Sequence, residues 1–259
     1  FTASPLLGLA QGLAVYQNGA RINEPLGDTV NWDLLPQSAI ETLTLGGGAN
    51  PLYGLNSLGG ALVIEMKNGF SFEGANLEVS AGSFGRTVSN FEIGGNDGEF
   101  AFYANVEYFD EDGWRDYSSS DAINFYGSLG WRKENTEINL NFQHGESELT
   151  GNGAAPIELI DLRREAIFTG PDITENDMDM FGVDFSHEFN SKISFSGNIS
   201  YRENSTDAFN GDGSEFGVCS FNGSESLIEG LEEDDLEEIG LDDDVCDSQF
   251  GNSNLMENF

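Results

Sequence analysis

The chain of 259 residues carries 46 Asp and Glu against 10 Lys and Arg, a formal net charge of −36. So negative a surface repels phosphate backbones and excludes a nucleic-acid binder. No stretch approaches the ~20 consecutive apolar residues of a transmembrane helix, while 33 Gly, 20 Phe and only 6 Pro suit strands joined by tight turns.

Phe1-Thr2-Ala3-Ser4 lacks both the basic start and the apolar core of a secretory signal. The first stretch has short apolar runs: Leu13-Ala14-Val15-Tyr16, then Ile40 to Leu45, then Ala61 to Met66. Turn residues separate them at Asn18-Gly19, Gly46-Gly47-Gly48 and Gly59-Gly60. Pro36 before Gln37-Ser38-Ala39 can open a helical turn. A small α/β unit is expected over residues 1–68, ending near Asn68-Gly69.

From there the pattern becomes alternation of period two, the signature of half-buried strands. Leu77, Val79 and Ala81 alternate with Glu78 and Ser80; Phe100, Phe102, Ala104, Val106 and Tyr108 continue the rule. Ile123 to Trp131 and Ile138 to Phe142 follow, then Phe181 to Phe189 and Ile193 to Tyr201, each with Asn, Ser, Asp or Glu on the alternate positions. About seven strands are expected.

The links between strands alternate in length. Gly95-Asn96-Asp97-Gly98, Lys133-Glu134-Asn135 and Asn190-Ser191-Lys192 are brief, whereas Asp110–Ser120, Thr150–Asn176 and everything from Asp207 onward are long. Only Ser83-Phe84-Gly85-Arg86, a short first link, breaks the rule. Two unlike ends of this kind suit an outer-membrane barrel with short periplasmic turns and long outer loops. Ten residues at ~3.4 Å, tilted near 45°, project to roughly 24 Å, the height of such a barrel's apolar band. Phe100, Tyr108, Phe109, Trp131 and Tyr201, near strand ends, suit an interfacial girdle. The fold class expected is membrane all-β: an antiparallel transmembrane β-barrel, incomplete at about seven strands, preceded by part of a small α/β domain.

Five pieces of the first unit, taken in order, resemble the plug of TonB-dependent outer-membrane receptors. They are Ile40-Glu41-Thr42-Leu43 through Gly47, Leu52-Tyr53-Gly54, Leu58-Gly59-Gly60-Ala61, Val63-Ile64-Glu65-Met66-Lys67, and the upstream Val15-Tyr16-Gln17-Asn18-Gly19. Many family members carry Arg-Gly-Pro after the Ile-Glu strand; here Leu45-Gly46-Gly47-Gly48 stands there. The arginine's pairing with barrel carboxylates therefore does not carry over. No Gly-Lys-Ser/Thr follows the glycines, so a phosphate loop is not indicated.

The resemblance implies residues 1–68 as the C-terminal part of a plug and 69–259 as the first part of a barrel, the chain being a fragment. For the intact protein it implies energised uptake of a scarce ligand across the bacterial outer membrane. The TonB–ExbB–ExbD complex would supply energy, and an iron–siderophore complex is the commonest cargo. Outer-membrane lipid and lipopolysaccharide would be its surroundings. The stretch Asn23 to Trp32 becomes an apical plug loop, with Glu24, Asp28, Asn31 and Trp32 as candidate ligand contacts, beside a plain surface loop as the alternative. Trp114, Arg115 and Tyr117 fall in the first long outer loop, where Trp114 is either a ligand-stacking platform or an interfacial anchor.

After Arg202 no Lys or Arg occurs, while acidic residues crowd from Glu229 to Asp244. Such a run is ordinarily solvated. Hard cations such as Ca2+ or Mg2+ prefer its oxygens, and bridging to lipopolysaccharide is one expectation. Cys219 and Cys246 bracket the run. Periplasmic or outer exposure would pair them and a reducing compartment would leave them as thiols; for an outer-membrane chain a disulfide is the expectation. No nucleophile and base converge in the sequence, so no enzyme is expected. The rival reading is a secreted acidic β-sandwich that binds carbohydrate or calcium. It requires the apolar strand faces to meet in a dry core.

Overall fold

The computed structural model describes residues 12–25, 29–48, 51–55, 57–151, 153 and 155–211, together with the backbone of three strands beyond residue 215. A small mixed sheet comes first, from β1 (Leu13–Gln17), β2 (Ala20–Arg21), β3 (Ile40–Gly47) and β4 (Gly60–Met66), ordered β2-β1-β4-β3. Asn18 and Gly19 both take positive φ, 46° and 77°, which is the two-residue turn that Asn-Gly favours in a hairpin. β1 runs parallel to β4, and β3 runs antiparallel to it. Gly60 explains the glycine pair that closes this sheet: its φ is +128°, and an added Cβ would stand 2.1 Å from the Gly46 carbonyl oxygen. Only a residue without a side chain admits that approach.

Pro36 does open a helical turn, but a 3-10 one over Gln37–Ala39. Two more such turns, Trp32–Leu34 and Pro51–Tyr53, complete the helical content of the described part of this unit. Thus the expected α/β unit has no α-helix among its described residues.

The second sheet has seven strands in chain order: β5 (Gly74–Ala81), β6 (Thr87–Asn96), β7 (Phe100–Glu111), β8 (Ser120–Lys133), β9 (Thr136–Gly151), β10 (Asp172–Asn190) and β11 (Ile193–Phe209). Every strand neighbours the one before it, as a meander requires. Asp97 shapes one tight turn by accepting the Phe100 and Glu99 N–H groups at 2.7 and 2.9 Å. Those backbone bonds hold its carboxyl below the usual range.

Period two decides which side chains are covered. Along β7, Ala101, Tyr103 and Asn105 are buried, while Phe100, Phe102, Val106 and Tyr108 are exposed. The polar face is the covered one. Leu77, Leu129 and Ile199 on the other face are 68%, 62% and 71% exposed. No described residues form a second layer over that apolar face, so the dry core that a sandwich needs is missing there. The core lies instead between the small sheet and the polar face. Val15, Val30, Leu34, Ile64 and Met66 meet Tyr103, Tyr126, Met178 and Met180.

Two expectations need correction. Strands of about ten residues are found only at the start, since lengths rise from 8 in β5 to 19 in β10. β10 begins at Asp172, inside what reads from sequence as a long link. Apart from Ile173 its first residues are polar on both faces, so they extend the ladder without an apolar alternation to announce it. Phe109, expected in the girdle, has the parity of the covered face and lies under the Arg86 guanidinium at 5.0 Å.

A separate compact unit comprises Trp114–Ser118, Thr150–Ile173 and the chain from Ala208 on. It contains one short helix, α1 (Ile157–Leu162), started by Pro156, and a three-stranded sheet of β12 (Phe216–Phe221), β13 (Ser224–Glu229) and β14 (Cys246–Asp247). The sequence pattern gives no sign of α1, whose apolar residues Ile157 and Leu162 stay exposed. No helix among the described residues is long and apolar enough to cross a membrane.

Candidate functional site

The seam between the small sheet and the polar face of the large one gathers most of the buried polar groups. Because alternate residues of each strand point to this face, Asn, Gln, Ser and Tyr form rows facing the loops of the small sheet. Gln143 receives a bond from Gln17 Nε2 at 2.5 Å and donates through its own Nε2 to the Leu34 carbonyl at 2.7 Å. Asn124 Nδ2 donates to the Asp33 carbonyl at 2.8 Å, and Ser147 Oγ and Asn176 Nδ2 both donate to the Asp33 carboxylate. The Ser38 N–H donates to Glu107 at 3.1 Å. Gly145 lets the Leu34 loop approach, since a Cβ there would sit 3.3 Å from Leu34 Cδ2 and 2.6 Å from Asn124 Oδ1.

Two ion pairs stand in the seam. Lys67, just past β4, places Nζ 2.8 Å from Glu92 and 2.8 Å from the Ser38 carbonyl, over the Phe72 ring at 5.1 Å. Glu92 is buried and also accepts from Tyr103 Oη at 2.7 Å and Asn76 Nδ2 at 3.3 Å. In the other pair Arg202 of β11 donates to the Ile22 carbonyl at 3.1 Å and to Glu24 at 2.5 Å. Thus a lysine–glutamate pair and a glutamate–arginine pair fasten the small sheet, although the Arg-Gly-Pro step of the family is missing.

A polar cavity of about 510 Å³ lies along the seam, lined by Asn18, Glu65, Tyr126, Glu137, Asn141, Asp184 and Asn198 among others. Burial, with Glu41 nearby, pushes the Glu65 carboxyl above the usual range.

The residues expected to meet a ligand are placed as follows. Glu24 is ion-paired with Arg202. Asn31 Nδ2 donates to Asn176 Oδ1 at 3.5 Å, and Trp32 packs partly buried against the core. Asp28 lies outside the described residues. Glu24, Asn31 and Trp32 therefore share one rim of the seam, engaged with the large sheet. Sequence reasoning missed Asp33, which accepts three bonds there, one on its carbonyl and two on its carboxylate. Its only signal was a place beside Trp32, too weak without the register of β9 and β10.

In the separate unit, Trp114 is half exposed and carries two guanidinium groups on its ring, Arg115 at 5.8 Å and Arg164 at 5.5 Å. Arg115 also donates to the carbonyls of Ala166 at 2.8 Å and Gly153 at 3.4 Å. Tyr117 is exposed, and Arg163 forms an ion pair with Asp116. Arg163 and Arg164 were not anticipated; an adjacent basic pair in so acidic a chain was the available signal. Cys219 and Cys246 are opposite residues of the β12–β14 ladder. Their side chains, and the acidic run between β13 and β14, lie outside the described residues.

A meander with an apolar outer face and a polar inner face, filled by a small mixed sheet, defines a plug-and-wall fold. Solved structures agree. The chain is similar to the ferric-catecholate import receptor Fiu of E. coli K12, at 16% identity and a TM-score of 0.63, over 76% of this chain and 32% of that one. It is also similar to the siderophore receptor PiuA of Acinetobacter baumannii, at 14% identity and 0.59, over 75% and 29%. The copper transporter OprC matches at 17% and 0.58, over 74% and 29%. These are TonB-dependent outer-membrane receptors, and the chain has their fold. It spans about a third of the length of these structures. No family model matches the sequence, and no curated protein does.

Proposed function

We propose that this chain supplies plug and wall of an outer-membrane receptor that takes up a scarce ligand with energy from TonB–ExbB–ExbD. The observation that carries the reading is the polar seam: a small sheet held by hydrogen bonds and two ion pairs on one face of a sheet whose other face is apolar and bare. Bonds of this kind can be exchanged for water one at a time, so a plug held by them can be rearranged at moderate cost. Greasy side chains on the opposite face find their solvent in lipid.

An iron–siderophore complex is the proposed cargo. Fiu is described as a ferric-catecholate import receptor and FecA as a ferric citrate transporter. Within this chain, Trp114 with Arg115 and Arg164 combines an aromatic face with positive charge, a combination that suits an anionic, ring-bearing chelate. The exposed outer parts would meet lipopolysaccharide, and the acidic run would recruit Ca2+ or Mg2+.

Uptake of radiolabelled ferric siderophores into cells expressing the full-length protein tests the reading. Accumulation should require both the protein and TonB, with the protein recovered in the outer-membrane fraction. Recovery in the soluble fraction would reject the membrane assignment; uptake indifferent to TonB would reject the energised mechanism.

A further inference from the structure

The face of the large sheet turned away from the seam carries a cluster that the uptake reading does not use. β9 offers His144 and Glu146, and its neighbour β10 offers Asp177 and Asp179. Residues two apart on a strand share a face at ~6.8 Å, and facing residues on adjacent strands stand ~5 Å apart. Four such side chains therefore make a small square.

The pairing is anchored from the apolar side. Phe142 and Phe181 stack across the two strands with ring centroids 4.7 Å apart. One step further, His144 Nδ1 is 3.0 Å from Asp179 Oδ1, and its Nε2 is 3.2 Å from Glu146 Oε1. The same alternation brings Asp177 beside Glu146. Ligand atoms of His144, Asp177 and Asp179 all lie within 4.8 Å of one another. A tetrahedral metal with bonds of 2.0–2.2 Å spaces its ligand atoms about 3.4 Å apart, so small side-chain rotations would close the set. The group is open to a cation from outside, with His144 and Asp179 side chains 34% and 47% exposed.

Its surroundings add negative charge only. The next positions on this face are Glu148 of β9 and Glu175 of β10, and Asp121 of β8 stands directly opposite Glu148. Like charges facing one another across a ladder are destabilising unless something sits between them.

We propose that His144, Asp177 and Asp179, with Glu146 in reach, form a site for a divalent transition-metal ion of the zinc or manganese type. One imidazole nitrogen among carboxylate oxygens favours such an ion over calcium, which takes oxygen ligands. This site is independent of cargo and of TonB.

The probe is Zn2+ itself. The purified full-length protein is stripped with a chelator and then equilibrated with micromolar Zn2+ in millimolar Ca2+ and Mg2+, which occupy sites made of carboxylates alone. Bound zinc is then measured by elemental analysis and calorimetry. The wild type should retain a tight equivalent that His144→Gln and Asp177→Asn/Asp179→Asn each weaken at least tenfold. Zinc-edge absorption should report an imidazole ligand that His144→Gln removes. Both variants lie on an outward face, and unchanged circular dichroism checks their folding. Equal zinc retention by wild type and variants, or no tight equivalent at all, would overturn the proposal and leave His144 as an ion-pair partner of Asp179 and Glu146.

Discussion

Replacing Lys67 with Met isolates the ion pair at the end of β4. Glu92 is 5% exposed in its side chain and Lys67 22%, so this pair is largely withdrawn from water. Removing one member of a buried pair costs ~3–5 kcal/mol, because the other charge is left uncompensated. Here Glu92 keeps Tyr103 and Asn76 as donors, and Lys67 retains some contact with solvent. The expected loss is then about 2–4 kcal/mol of plug anchoring. Hydrogen exchange reads it directly. The Met66 N–H, bonded to Asn18 Oδ1, and the Lys67 N–H, bonded to the Ala39 carbonyl, report opening at this seam. In Lys67→Met they should exchange roughly 30- to 700-fold faster, at one decade per ~1.4 kcal/mol. Adding Glu92→Gln removes the stranded charge and should recover at least half of the loss. Exchange within threefold of wild type in the single variant would refute the reasoning.

Gly60→Ala should break the β3–β4 pairing, since the new Cβ meets the Gly46 carbonyl and the φ of +128° is closed to alanine. A cost above ~3 kcal/mol is expected, seen as lost exchange protection over Ile40–Gly47 with the large sheet unaffected. Glu65→Gln should steady the plug at neutral pH. Burial raises the folded-state affinity of Glu65 for its proton, so its ionisation works against folding as pH rises through the raised value. The advantage of glutamine should therefore appear above that value and vanish in acid, when exchange is corrected for its intrinsic pH dependence. For Cys219 and Cys246, opposite in the β12–β14 ladder, both thiols should resist alkylation until reduction. Ready alkylation beforehand would remove the disulfide, and with it a stabilisation of roughly 3–4 kcal/mol.

The wall was legible because lipid and lumen impose opposite demands on alternate residues, so Ile123, Phe125 and Leu129 against Asn124, Tyr126 and Ser128 could be read from one strand alone. Where both faces are mostly polar, as at Glu146 to Leu149 and Asp172 to Asn176, alternation fades and the strands run on unannounced. The Gly59-Gly60 pair and the Asn18-Gly19 turn were visible since each answers to local backbone geometry. The seam was not. Gln17 meeting Gln143, or Asp33 meeting Ser147 and Asn176, depends on register between segments more than a hundred residues apart, and nothing in an isolated Asn or Gln marks its partner. For the same reason Glu24 and Asn31 read as candidate ligand contacts or plain loop groups, with no sign of the bonds that tie them to Arg202 and Asn176.

Spin labels placed singly along β8, β9 and β11 give the sharpest test of the lipid-facing assignment. Labels at Leu129, Leu140, Phe195 and Ile199 in bilayer-reconstituted protein should collide more with oxygen than with a water-soluble nickel chelate. Those at Asn124, Ser128 and Asn198 should show the reverse, or shielding from both. Labels at the first four positions shielded from oxygen and chelate alike would mean that a packed layer, not lipid, covers the apolar face, and would contradict the account.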